Sequence, residues 1–118
     1  MKRIVPIIFA GMLALIMLFS ACEKVVYPPL ELPESVSYSL DVQPIFDSKC
    51  VDCHGGSRNP DLRAGHSHEA LVNGGYVNTA DPASSKIMQK LYGSHDSRAT
   101  GTEKLLILQW ITEGAKDN

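Results

Sequence analysis

Cys50-Val51-Asp52-Cys53-His54 puts two thiols and an imidazole into five consecutive residues. No other feature of the chain restricts its fold so strongly. A CxxCH pentapeptide is the attachment site of a c-type haem. Thiols at this spacing reach two vinyl groups of one porphyrin and form thioethers. The histidine directly after the second thiol then falls under the iron as its proximal ligand. On this reading Cys50 and Cys53 carry one covalent haem c, His54 binds its iron, and the remaining residues have to wrap the macrocycle.

Three other uses of the same residues compete. A Cys-x-x-Cys redox dithiol belongs in a βαβ context, and this chain has no alternation of strand and helix patterns. A zinc site is closer, because His66 follows Cys53 at roughly the finger distance. The next histidine is His68, however, and His-x-His is too tight for the ligand pair of a finger helix. A structural disulfide between Cys50 and Cys53 would close a very short loop and gain little.

The N-terminus carries an address. Lys2 and Arg3 precede an uncharged, apolar run from Ile4 to Phe19, and Ser20-Ala21-Cys22 follows. The run is shorter than the about 20 residues of a membrane span and suits the core of a secretory signal peptide. Small residues immediately before Cys22 match a lipobox, although Phe19 stands where leucine is commoner. Residues 1–21 are therefore expected to be a lipoprotein signal peptide and Cys22 the lipidated first residue of the mature chain. The alternative, ordinary cleavage, would leave Cys22 as an exposed thiol outside the cytoplasm. With Cys22 used as anchor, Cys50 and Cys53 are the only cysteines left, which favours one haem over a disulfide framework.

Residues 22–38 hold three prolines (Pro28, Pro29 and Pro33) and no helical or strand period, so they are expected to form an extended tether. Residues 39–118 remain as one small domain. A domain of that size builds a modest core and needs a staple, which a covalent haem supplies. The chain has 11 Lys+Arg against 13 Asp+Glu; without Lys2 and Arg3 the balance is 9 against 13. No basic stripe is present, which argues against nucleic acid as a partner.

Three helices can be placed from pattern alone. Asp41 is positioned to cap a helix through Val42, Ile45 and Phe46, with Pro44 in the first turn. Asp81-Pro82 predicts a second start, with Ile87, Met88, Leu91 and Tyr92 sharing a face and Gly93 as the stop. Thr100-x-x-Glu103 forms a capping box ahead of Leu105 to Ile111, closed by Gly114. Glu69 to Val72 predicts a short helical turn closed by Asn73-Gly74-Gly75, and Tyr76 to Asn78 a short extended pairing. The fold class expected is mostly α, with loops wrapping the cofactor.

With CVDCH between a short N-terminal helix and a Trp-containing C-terminal helix, residues 39–118 resemble a small class I cytochrome c. More narrowly they are similar to the single-haem lipoprotein cytochromes of Bacteroidetes-like bacteria, through DVQPIF, CHGG, DPASSKI and LILQWITEGA. The resemblance implies that the first and last helices cross near Phe46 and Trp110. It also implies a second axial ligand, usually methionine, from the loop before the last helix. GSHDSRATGTE contains no methionine, and His95 falls at about that place. His95 is thus the expected distal ligand and Met88 the rival, with His66 and His68 at the surface. Pro60, or a neighbour, resembles the segment that offers a carbonyl to the proximal imidazole. Leu62 and Leu71 are expected to pack on the haem, and Arg58, Asn73, Tyr76 and Trp110 are candidates for pairing with a propionate.

The function this implies is a monomeric, membrane-tethered carrier of single electrons between redox partner proteins. It would be exported and anchored to the inner or outer membrane, and have no catalytic residues. A haem-based sensor or peroxidase-like protein, with one iron position open, is the alternative.

Overall fold

The computed structural model describes residues 31–118. Helix accounts for 52% of them and no strand occurs among them, so the fold is mostly α. A π-helical turn, Tyr38–Val42, runs into α1 (Gln43–Lys49) and, after Cys50, into the single turn α2 (Val51–His54). Then come α3 (Ser67–Val72), α4 (Lys86–Leu91) and α5 (Gly101–Thr112). The signal segment, Cys22 and most of the tether lie outside the described residues.

The first helix starts earlier than its pattern implied. Ser37, not Asp41, is the cap: its backbone is extended and its hydroxyl accepts from the Leu40 N–H at 3.3 Å, while Asp41 Oδ2 accepts from the Ser37 N–H at 2.8 Å. The Gln43 N–H passes over the Ser39 carbonyl and bonds to that of Tyr38 five residues back, and Pro44, next in the chain, has no N–H to offer the Leu40 carbonyl.

The domain also begins earlier. Val36 is buried, its N–H donates to Glu113 Oε2 at 2.9 Å, and Gln109 Nε2 donates to the Pro33 carbonyl at 2.9 Å. Residues 33–38 therefore dock on the end of α5 instead of extending as tether. Polar and proline-rich sequence concealed this, because the docking uses one apolar side chain and backbone groups.

Asp81-Pro82 opens a 3-10 turn, Pro82–Ser84, with no cap bond from Asp81. The α-helix starts only after Ser85, whose extended backbone bends the chain toward residues 76–78. There the Asn78 N–H donates to Ser85 Oγ at 2.9 Å and the Ile87 N–H to the Tyr76 carbonyl at 3.1 Å. The last helix follows its pattern. Thr100 and Glu103 form the reciprocal capping box, and Gly114 ends the helix at φ 100°.

The core joins Val42 and Phe46 to Leu71, to Ile87, Met88 and Leu91, and to Ile107, Trp110 and Ile111. Tyr38 packs between the first and last helices. Its ring centroid lies 4.9 Å from that of Trp110 and 6.5 Å from that of Phe46. What joins α5 to the N-terminal segment is thus Tyr38, in the π-helical turn before α1.

Candidate functional site

A cavity of about 470 Å³ lies beside this core. Cys50, Cys53 and His54 all line it, from the junction of α1 and α2. The loop after α2 adds Pro60 and Leu62, and Leu71 of α3 is also on its wall. Ile87 and Leu91 of α4 and His95 from the loop before α5 complete the set. Nine of the candidate site residues singled out in the sequence (Cys50, Cys53, His54, Arg58, Pro60, Leu62, Leu71, Tyr76 and His95), spread over 46 positions, therefore meet in one space.

His54 is held from behind. Its Nδ1–H donates to the Pro60 carbonyl at 3.0 Å, and its own carbonyl accepts from the Leu62 N–H at 2.8 Å. The ring's other nitrogen has no hydrogen-bond partner among the described residues. A buried chain of side chains braces this loop in turn. Gln43 Nε2 donates to the Leu62 carbonyl at 3.1 Å and to Asp47 Oδ1 at 2.7 Å. Gln43 Oε1 accepts from Ser67 Oγ, which accepts from the Tyr38 hydroxyl at 2.7 Å. Burial pushes the Tyr38 phenol up to about 12, so it remains the donor at the end of this chain.

The two thiols differ. Cys50 is half-buried and Cys53 exposed, and they are not joined as a disulfide. Burial, with the Glu103 carboxylate adding to it, raises the Cys50 thiol above its ordinary value. Burial alone would also raise Glu103. Hydrogen bonds from Lys49, at 2.8 Å, and from Thr100 outweigh it and hold this carboxyl below the usual range.

His95 sits at the solvent-facing side of the cavity. Its ring centroid is 6.4 Å from that of His54, with the planes at 48°. Its Nδ1 is 3.0 Å from Ser94 Oγ, which leaves Nε2 without a protein partner among the described residues.

The charge around the cavity is one-sided. Lys49, Arg58, Lys86, Lys90 and Arg98 line it, and no carboxylate does. Lys49 is paired with Glu103, and Lys86 stands 4.9 Å from the centre of the Tyr76 ring. Arg58, Lys90 and Arg98 have no ion-pair partner among the described residues. In a chain with an excess of acidic residues, this concentration of cations is local.

Some candidates lie elsewhere. Met88 is 1% exposed in the core and does not line the cavity. Trp110 is also away from it, and its Nε1–H donates to the Lys116 carbonyl at 2.8 Å. Both residues are fully used by core packing, so neither reaches the space that would hold a ligand. Asn73 and His66 line a separate, polar depression next to Glu69, which shares only Asn59, Pro60 and Tyr76 with the main cavity. His68 is not a free surface residue. Its ring packs edge-on against Tyr38 at 5.1 Å, and its Nε2–H donates to the Ala115 carbonyl at 2.8 Å. Among the described residues no three His, Cys, Asp or Glu side chains converge as a metal cage, so the zinc alternative lacks its donor set.

Sequence reasoning overlooked Lys86 and Lys90 as cavity residues. They lie one and three positions from Ile87 and one turn apart on α4, a spacing that shows in the sequence only as an apolar stripe. Lys49 and Arg98, at the edges of the motif and of the last loop, carried no signal of their own. No protein-family model, curated protein or solved structure matches this chain.

Proposed function

We propose that this protein is a c-type cytochrome that carries single electrons at a bacterial membrane surface. One haem c would be bonded to Cys50 and Cys53, with His54 and His95 as its axial ligands. The separation of the two imidazoles carries this reading. Metal–imidazole bonds of about 2 Å, with each ring centre roughly 1 Å farther out, put two opposed imidazole centroids about 6 Å apart. The 6.4 Å between His54 and His95 fits that span. Four further observations agree with it: CxxCH at the cavity wall, apolar Leu62, Leu71, Ile87 and Leu91 around it, an acceptor behind His54, and cations but no carboxylate on the cavity lining.

When bound, the haem supplies reversible one-electron chemistry at its iron. The protein's part is to hold the site still. The Pro60 carbonyl fixes the His54 tautomer and strengthens it as a donor. Arg58, Lys90 and Arg98 are suited to neutralise the propionates, and the half-open wall at Cys53 and His95 leaves an edge for contact with redox partners. With His54 and His95 both holding the iron, reorganisation on electron transfer would stay small. Export and a lipid anchor at Cys22, on the inner or outer membrane, belong to the same reading.

The test uses protein matured in the periplasm. A pyridine haemochrome spectrum and an intact mass with one added haem are expected; a colourless protein would end the proposal. In EPR and near-infrared spectra, His95→Ala should lose the bis-imidazole low-spin signature and Met88→Ala should keep it. Fast carbon monoxide binding by the wild-type ferrous protein would favour the sensor or peroxidase-like alternative.

A further inference from the structure

Lys104 is the one charged side chain buried in the described core, 5% exposed, and the cavity does not include it. Removing an ammonium group from water is expensive unless it is fully partnered. Its partners are specific. Nζ donates to Asp96 Oδ1 at 2.6 Å and to the Asp96 backbone carbonyl at 2.9 Å, and it stands 5.1 Å from the centre of the Tyr92 ring. Tyr92 closes α4 and Asp96 directly follows His95, so one cation on α5 grips both ends of the short loop that presents this histidine.

The loop has few other ties. The His95 N–H bonds to the Lys90 carbonyl at 2.9 Å, and the Asp96 N–H bonds within the loop to Gly93 at 3.1 Å. Among the described residues the His95 ring hydrogen-bonds only to its neighbour Ser94. A leucine would fill the place of Lys104 without a desolvation cost. A bare surface ion pair would have left the ammonium in water, where such pairs contribute little. Because one of the two bonds goes to backbone, loss of the exposed Asp96 carboxylate weakens the clamp without abolishing it.

We propose that Lys104 is the positioning residue for the distal ligand. By clamping Asp96 and Tyr92 it holds the His95 loop against the cavity, so that the imidazole stays in place. This rests on the reading of His95 as an iron ligand.

The experiment measures carbon monoxide association with the ferrous holoprotein, alongside ferric EPR, for four variants. His95→Ala sets the fast limit. Lys104→Met should accelerate association by about tenfold or more, the effect of freeing a loop tied by a charge-assisted hydrogen bond. Asp96→Ala, which keeps the carbonyl acceptor, should give a smaller acceleration. Ile107→Val, a core change on the same helix away from the loop, should leave the rate unchanged while lowering thermal stability. Wild-type rates in a folded Lys104→Met protein, with His95→Ala fast, overturn the clamp alone. Should Lys104→Met fail to fold, a wild-type rate in Asp96→Ala overturns it equally. An unchanged His95→Ala removes the ligand assignment and the clamp together.

Discussion

Cys50 and Cys53 belong to one motif but not to one environment. The backbone at Cys50 breaks the helix between α1 and α2, turning its side chain against the core, while Cys53 lies on the outer side of the following turn. Burial and Glu103 hold the Cys50 proton on, and alkylation needs the thiolate. Protein produced without haem should therefore react with iodoacetamide at Cys53 several-fold faster than at Cys50, read by peptide mass spectrometry at pH 8. In urea the two rates should converge; equal rates in the folded protein would contradict the burial described. The pentapeptide stands out in the sequence because its spacing is local. The asymmetry of its thiols does not, since it depends on Glu103 and the core.

At the scale of elements, three pieces of backbone are coupled by one glutamine. Gln43 on α1 touches Ser67 on α3 and the Leu62 carbonyl in the loop that cradles His54. Replacing it by leucine leaves the buried Leu62 carbonyl without this donor and the Ser67 hydroxyl without its acceptor, at a cost of about 1–3 kcal/mol. Gln43→Leu is accordingly expected to lower the urea midpoint of the protein. It should also shift the His54 resonances in NMR, because the Leu62 N–H and the Pro60 carbonyl both hold that residue. A loss of stability with His54 unmoved would limit Gln43 to core packing. No sequence pattern pointed to this chain of bonds. Gln43 sits among helix residues where glutamine is ordinary, and only the approach of α3 makes it a bridge. The capping box of α5, by contrast, was readable because Thr100 and Glu103 satisfy each other within four residues.

Across the whole molecule, the two ends of the described chain close on each other. Val36 and Tyr38 bond to Glu113 and Asn118, and Ser39 N–H to the Asn118 carbonyl at 2.9 Å. The Val36 N–H first, and Gln109 next, hold the Glu113 carboxyl below its usual range. A carboxyl depressed on folding contributes fully above its ordinary value of about 4.3, and that contribution fades as pH falls through the lowered value. Glu113→Gln should thus lower the melting temperature at pH 7. The gap from wild type should shrink steadily as the melts are taken into acid below about pH 4. A constant gap at all pH values would mean that the carboxylate charge is not what docks residues 33–38.

Local chemistry determined most of what the sequence could say alone. Ligand spacing, helix caps and the apolar stripes act over a few residues, so CVDCH, the last helix and the mostly α class are present in the string. Tertiary structure decided the rest. It chose His95 over Met88 as the residue facing His54, drew Trp110 and His68 into packing, pulled residues 33–38 into the domain, and assembled the cations around the cavity. Those outcomes depend on which helix faces meet when apolar surface is removed from water, and a side chain's direction after that packing is not encoded within its own neighbourhood.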